Sequence, residues 1–182
     1  MYLKYALLVL ASLLASVLNL FLAPVVVLFA SDDGWLPRSL WWFQTPDNPL
    51  DGDGGWKEEH RRFKVEDAAW KRWYNRTTWL YRNPMYGFSI DVLGAKTLWT
   101  DTVILIGDPL VSNRPIHSGL VQRRLIRESK IIYFQWYYVW QWSETRCVRI
   151  NLGWKLWGDA TKDRNCQLTF SPNPFMGLSF KA

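Results

Sequence analysis

The hydrophobic pattern first separates an uncharged N-terminal stretch from the rest of the chain. Between Lys4 and Asp32 lie 27 residues without a formal charge, dominated by Leu, Val, Ala and Phe. As an α-helix this stretch would extend about 40 Å at roughly 1.5 Å per residue. A bilayer has roughly 30 Å of hydrocarbon, so the pattern predicts a transmembrane anchor over residues 1–30.

Two alternatives remain open for this stretch. Residues 28–30 before Ser31 resemble the cleavage site of a secretory signal, although the apolar region of a signal is usually only about 7 to 15 residues long. Pro24 interrupts the hydrogen bonds of a helix and permits a kinked or re-entrant course. On length we expect an uncleaved, single-pass anchor. Lys4 before the stretch indicates a cytoplasmic N-terminus, with the distal domain on the other side.

Residues 31–55 combine an aromatic segment with an acidic, Gly-rich linker. Aromatic rings and one Arg directly beyond a span are typical of the headgroup layer of a membrane. The candidate interface residues are Trp35, Arg38, Trp41, Trp42 and Phe43. Asp47, Asp51 and Asp53 could supply oxygen ligands to calcium, but the pattern of a complete calcium loop is not met. A turn at the start of the next helix is the simpler interpretation.

The next stretch has the period of an amphipathic helix that begins near Trp56. Counted from Phe63, aromatic and apolar side chains follow one face with a period of 3.6 residues up to Tyr81, and Asn83-Pro84 ends the pattern. The basic residues point elsewhere. Those that could meet lipid headgroups or a partner are Arg61, Arg62, Lys64, Arg72 and Arg76. The helix either packs on a sheet or lies on the bilayer, and we expect the first.

From Gly87 onward the pattern becomes that of β-strands. The candidate strands are residues 88–93, 98–106, 120–126, 131–142, 146–157 and 166–170. The short connections favour antiparallel pairing, because parallel pairs need crossovers of a dozen or more residues. We therefore expect an α+β fold in which residues 56–182 form one basic, aromatic-rich domain with a mostly antiparallel sheet of five or six strands.

Composition sharpens the expected partners. Residues 1–55 hold 2 basic and 5 acidic side chains, whereas residues 56–182 hold 20 and 11. A basic domain beside a bilayer is attracted to anionic lipid headgroups, so membrane lipid is the expected partner, beside a protein that the sequence does not identify. Nucleic acid is a weaker expectation. The chain also has 13 Trp residues, which suit cores and membrane interfaces alike.

No constellation of residues indicates a reaction. His60 and His117 lack a neighbouring nucleophile or metal-ligand spacing, and no Gly-rich loop could cradle a phosphate. We therefore expect neither an enzyme nor a cofactor. Cys147 and Cys166 could pair in an exported domain or remain reduced and buried.

Several motifs resemble a family of small proteins of unknown activity from tailed bacteriophages and prophages. They are residues 36–48, Asp51-Gly52, residues 81–88, residues 152–156 and the Ala23-Pro24 pair. The resemblance runs through nearly the whole chain. It implies a phage-encoded role at the inner membrane of a bacterial host, with the distal domain in the periplasm, and it assigns no catalytic residue.

Three functions follow from these observations, in decreasing order. The first is a membrane-anchored protein that acts by binding at the host inner membrane, for example in superinfection exclusion or another change to the envelope. The second is a virion component delivered to the membrane with the genome, which mass spectrometry of purified particles would detect. The third, an enzyme acting on the envelope, would require Asp47, Asp51 and His60 to converge.

Overall fold

The fold consists of two compact units. The computed structural model describes residues 1–64, 68–156 and 164–176. One unit contains Met1–Val9 and the described residues from Leu93 onward, and the other contains Leu10–Val92. The division at residues 30 and 55, which rests on composition, stays a prediction.

Helices make up the regular structure of the first 92 residues. The apolar N-terminal stretch forms one helix that continues through Pro24, so the chain does not turn back there. The α-helices are α1 (Tyr2–Val26), α2 (Ala69–Arg82) and α3 (Tyr86–Asp91). The shorter helical turns are Val27–Phe29, Arg38–Phe43 and Trp56–His60.

Strands follow from residue 95 onward. They are β1 (Ala95–Thr97), β2 (Thr102–Gly107), β3 (Ser112–Asn113), β4 (Ile116–His117), β5 (Gly119–Arg127), β6 (Lys130–Ser143), β7 (Arg146–Trp154), β8 (Arg164–Cys166) and β9 (Leu168–Met176). Five of them form one sheet in the order β2-β5-β6-β7-β9, and every neighbouring pair is antiparallel. β1 pairs with β8 and β3 with β4. The α+β fold with an antiparallel sheet is confirmed.

The five-stranded sheet buries one face and exposes the other. Directly paired residues of an antiparallel sheet share a face, and neighbours along a strand alternate. On one face Gln135 and Val139 of β6 are fully buried. On the other face Trp136 and Trp140 of the same strand are 42% and 53% exposed. The period of two in β6 therefore separates aromatic side chains from the buried ones.

Polar and apolar side chains share the buried face. Val111 and Ile116, beside and within the β3–β4 hairpin, pack there with Val121, Val139 and Cys147. Next to this apolar cluster, Gln135 donates a hydrogen bond of 3.0 Å to Asn151 and accepts one of 3.3 Å from Arg123. These bonds satisfy amides that would otherwise be costly to bury.

The core of the helical unit forms between α1 and α2. Its buried apolar residues are Ala23, Val26, Val27, Leu36, Phe43, Leu50, Trp56, Trp79 and Leu80. The amphipathic helix α2 therefore packs against the C-terminal turns of α1 and the segments that follow it. This placement was not foreseen from the sequence.

Two predicted elements were wrong. The helix expected from Trp56 is interrupted, because only residues 56–60 form a turn and α2 begins at Ala69. The predicted strand 88–93 is instead mostly α3. A Cβ at Gly87 would lie 2.6 Å from the Trp41 carbonyl oxygen, so the bare glycine lets α3 approach the backbone of residues 41–44.

The remaining strand predictions differ from the structure mainly at their ends. The predicted strands 120–126, 131–142 and 146–157 correspond to β5, β6 and β7, and Trp157 lies outside the described residues. Strand 98–106 begins four residues later, at Thr102. Strand 166–170 is divided between β8 and β9.

One buried ion pair fixes the chain around the end of α1. Arg76 of α2 is 5% exposed. Its guanidinium donates to both carboxylate oxygens of Asp51, at 2.7 and 3.0 Å. It also donates to the carbonyl oxygens of Ser31 and Asp32, at 3.1 and 2.8 Å. A single planar group thus joins α2 to two separate loops.

We expect Arg76→Met to lower the free energy of unfolding by about 3 kcal/mol, because it leaves the Asp51 carboxylate and two carbonyls without their donor. Chemical unfolding of the full chain in detergent measures the change. Arg72→Met is the matched control one turn earlier, since Arg72 lies 3.7 Å from a fully exposed Asp32 carboxylate. The control should change stability by less than about 0.5 kcal/mol. Equal losses in the two variants would contradict the role given to Arg76.

Candidate membrane interface

Helix α1 turns its large apolar side chains outward. Together with the turn that follows it, Tyr2–Phe29, it is a 28-residue helix long and apolar enough to cross a membrane. A signal sequence or the core helix of a soluble protein can pass the same test of length and composition. The direction in which its side chains point is therefore more informative.

The outward side chains recur every three or four residues. Those on this side are Leu3, Leu7, Leu10, Leu14, Leu18, Phe21, Val25 and Leu28, and all are exposed. We call them the outer face of α1. Leu14 and Leu28 are 68% and 69% exposed. A core helix in water has the opposite arrangement, with its leucines turned inward.

The inward side of α1 consists mainly of small and polar residues. Ala15, Asn19 and Ala23 are buried there. The Asn19 side-chain amide donates a hydrogen bond of 3.0 Å to the Leu80 carbonyl of α2. Small residues that permit close approach, and amides that bond between helices, are typical of helix packing in membranes.

Pro24 frees a carbonyl that α2 then satisfies. Proline has no amide hydrogen, so Pro24 cannot donate to the Leu20 carbonyl one turn before it. The Tyr81 hydroxyl of α2 donates to that oxygen at 3.1 Å. The Trp73 indole of α2 donates to the Pro24 carbonyl itself at 2.8 Å. Two aromatic side chains of α2 therefore complete the backbone hydrogen bonding of α1 around its proline, as a helix in lipid requires.

The first turns of α1 pack on the sheet of their own unit. The Tyr5 hydroxyl donates to the Thr169 carbonyl at 2.8 Å. The Tyr5 ring lies 5.1 Å from Phe134 and 5.5 Å from Trp154, and Tyr2 lies 5.0 Å from Phe134. Both ends of α1 are thus held by other parts of the chain.

The candidate interface residues 35–43 divide into exposed and packed positions. Trp35, Arg38 and Trp42 are exposed. The Trp41 indole donates to Asp91 at 2.6 Å. Phe43 is 8% exposed and belongs to the core between α1 and α2. The prediction of an interfacial segment therefore keeps Trp35, Arg38 and Trp42, whereas Phe43 packs inside.

The acidic linker does not assemble a metal site. Asp51 is bound by Arg76, and Asp53 accepts a hydrogen bond of 2.7 Å from the backbone N–H of Trp56. Among the described residues, which include Asp47 and His60, no group of three His, Cys, Asp or Glu side chains could hold a metal ion. The His60 ring lies beside Trp56 and 3.6 Å from Glu59. The convergence that an envelope enzyme would require is not observed.

The predicted basic face separates into surface and buried residues. Arg62 lies over the rings of Phe63 and Tyr74, at 5.5 and 5.6 Å. Lys64 is exposed, and the Arg61 guanidinium donates to its carbonyl at 2.9 Å. Arg72 is partly exposed. Arg76 is the exception, because it is buried and paired and cannot meet a headgroup.

Residues of the sheet unit that were considered from the sequence have structural roles. Cys147 and Cys166 are free and buried, so the disulfide that was considered is not formed. Burial raises the pKa of the Cys147 thiol, and Arg149 opposes this in part. His117 lies 2.7 Å from Asp108. The Leu110 backbone N–H and then His117 hold the pKa of the Asp108 carboxyl below its usual value.

Sequence reasoning missed the residues that complete α1. Tyr81, Trp73 and Asn19 carry the contacts, and each was treated as part of a stripe or as an interruption. A signal was available, since a proline within an apolar helix requires a donor for the carbonyl one turn earlier. The donor itself lies more than fifty residues away along the chain.

We expect the Tyr81 hydroxyl and Pro24 to be coupled energetically. Tyr81→Phe should lower the free energy of unfolding by about 1 kcal/mol, because the Leu20 carbonyl loses its donor. In a Pro24→Ala background residue 24 supplies that donor itself, so the same change should cost less than about 0.3 kcal/mol. Unfolding of the four variants in detergent completes the double-mutant cycle. An equal cost in both backgrounds would show that the hydroxyl does not serve the carbonyl.

Neither a curated protein nor a solved structure matches the chain. A family model does, over residues 1–179, and it therefore includes α1 and the described strands of the sheet. That coverage treats the apolar helix and the sheet as parts of one protein. The chain belongs to this family, which is described as a family of unknown function (DUF7338).

Proposed function

We propose that the protein is a membrane-attached binding protein whose outer face of α1 contacts lipid. The observation that carries this proposal is the polarity of α1, with leucines outward and small and polar residues inward. Apolar side chains exposed over so long a helix would be costly in water, whereas lipid accommodates them without loss.

The contacts of α1 also support its retention in the mature protein. Ala23, Val26 and Val27 pack with Trp79 and Leu80 in the core of the helical unit. Cleavage after Ala30 would remove these three residues and the partner of the Tyr81 hydroxyl. A cleaved signal sequence has no such role in the fold that it leaves behind.

The two ends of α1 favour a helix that lies along the membrane. Tyr5 near the start bonds to the sheet, and Asn19 near the end bonds to α2. A spanning helix has its ends on opposite sides of the bilayer. Among the described residues, no second helix is long and apolar enough to bring the chain back across. Keeping both contacts therefore requires α1 to lie in the interface, with its outer face in the acyl layer.

The single-pass arrangement expected from the sequence is the alternative. It places the N-terminus in the cytoplasm and the distal domain in the periplasm, and it requires Tyr5 to leave the sheet or Asn19 to leave α2. The arrangement along the membrane keeps both contacts, so we propose that one.

The resemblance to proteins of tailed phages and prophages supports a phage-encoded role. We propose that the protein acts at the inner membrane of the host by binding lipid and an envelope protein. Superinfection exclusion, or another alteration of the envelope, suits a protein of this kind.

Charges on the outer face of α1 should detach the protein from membranes. An Asp at the centre of an apolar helix costs roughly 3 kcal/mol in lipid, which is about a hundredfold in partitioning per residue. We expect Leu14→Asp with Leu18→Asp to move the protein from the membrane pellet to the supernatant. Circular dichroism should show the same secondary structure, because both leucines are exposed in the fold.

Leu110→Asp is the matched control, since Leu110 is 69% exposed and lies in the turn before β3. It should leave the protein in the membrane fraction. Retention of the α1 variant in the pellet would overturn the proposed attachment.

A second measurement reads the topology. If α1 lies along the membrane, an epitope before Met1 and a reporter after Ala182 should both report the cytoplasm. A cytoplasmic epitope with a periplasmic reporter would favour the single-pass arrangement and overturn the arrangement along the surface. Membrane attachment itself would stand.

A further inference from the structure

The exposed face of the five-stranded sheet is a second apolar surface. Trp136, Tyr138, Trp140 and Trp142 alternate along β6 and are 42%, 37%, 53% and 43% exposed. Leu120 is paired with Tyr138, and Phe170 is paired with Leu152, which is itself paired with Trp136. Leu120 and Phe170 are exposed as well. We call these six side chains the aromatic sheet face.

This polarity is the reverse of that expected for a sheet in water. A sheet with one solvated face usually carries its polar residues on that face and its apolar residues inside. Here Gln135 and Asn151 lie on the buried face, whereas the tryptophans lie outside. An exposed apolar patch of this extent marks a contact surface.

The charges of the sheet indicate the kind of partner. The strands β2, β5, β6, β7 and β9 contain six basic residues and no acidic residue. Arg124 shares the exposed face, paired with Phe134 and bonded to Gln122. The Arg146 guanidinium lies 5.5 Å from the centre of the Trp142 ring. Tryptophan with arginine and without carboxylates is the composition of a surface that binds anionic headgroups.

The aromatic sheet face continues from the start of α1. Tyr5 lies 5.1 Å from Phe134, and Phe134 lies 6.2 Å from Trp136, which is the first member of the row on β6. Leu3 and Leu7, beside Tyr5 on the same helix, belong to the outer face. Within this unit one aromatic row therefore connects the helix that we propose to be in lipid with the exposed side of the sheet.

We propose that the aromatic sheet face rests on the same phospholipid surface, with its tryptophans at the level of the headgroups and Arg124 and Arg146 near the phosphates. The inference rests on the proposed function, because it takes the bilayer next to α1 as the partner. Indole rings have an apolar body and one N–H donor, so they are stable at the boundary between acyl chains and water. The sheet then adds a wide, rigid contact to that of a single helix.

Site-specific labelling of the full chain tests this. Trp140→Cys and, independently, Trp142→Cys would carry a polarity-sensitive fluorophore such as nitrobenzoxadiazole. The native thiols of Cys147 and Cys166 are buried, and the unsubstituted chain gives their background. The probe is a vesicle of phosphatidylethanolamine and phosphatidylglycerol, with or without lipid that carries a spin label on its acyl chain.

The expected result is a blue shift of the label on binding to vesicles, together with quenching by the spin-labelled lipid. Leu110→Cys is the control. Leu110 is exposed to a similar or greater extent, but it neighbours Val111, which packs on the opposite face. Its label should remain in water and unquenched.

The outcomes separate the two proposals. A protein that does not sediment with vesicles overturns the attachment through α1 and this inference together. A protein that sediments, with labels at positions 140 and 142 still in water, overturns only the lipid contact of the sheet. Labels that shift without quenching by lipid, and that quench one another, would show a second copy of the chain on this face and would also overturn the inference.

Discussion

Close packing of α1 against α2 is the interaction on which the helical unit depends. Ala15, Asn19 and Ala23 leave room for α2 to approach, and this proximity places the Tyr81 hydroxyl at the carbonyl that Pro24 frees. Arg76, one to two turns earlier on α2, reaches Asp51 and the loop after α1 from the same position. A larger side chain at Ala23 would separate all of these contacts at once.

The same polarity occurs in both units, and it has one physical explanation. In water, the hydrophobic effect drives leucine and tryptophan inward and leaves polar groups outside. In lipid that driving force is absent, so packing and hydrogen bonding decide what lies inside. Asn19 on α1, and Gln135 and Asn151 on the sheet, are buried with hydrogen-bond partners, while the leucines of α1 and the tryptophans of β6 are exposed. Helix and sheet thus both suit an apolar surrounding on one side.

Local patterns predicted the sheet and α1 well, because alternation and an uncharged run are properties of neighbouring residues. They failed for residues 88–93, where the approach of Gly87 to the Trp41 backbone is a tertiary contact. They also failed for Arg76, which looked like one more basic residue of a helix surface until Asp51 was placed beside it. The aromatic row of β6 was visible as alternating Trp and Tyr, but β6 was interpreted as apolar on both faces. Only the structure distinguishes which of its two faces is covered.

The two cysteines bear on where such a protein can fold. Cys147 is 1% exposed and Cys166 is 3% exposed, and neither is bonded to the other. A thiol that is shielded from solvent and has a raised pKa is a poor nucleophile, so it reacts slowly with oxidants and disulfides. The covalent structure of the sheet unit is therefore the same in a reducing cytoplasm and in an oxidising periplasm. The fold requires no particular redox environment, and the membrane is the surrounding to which it is adapted.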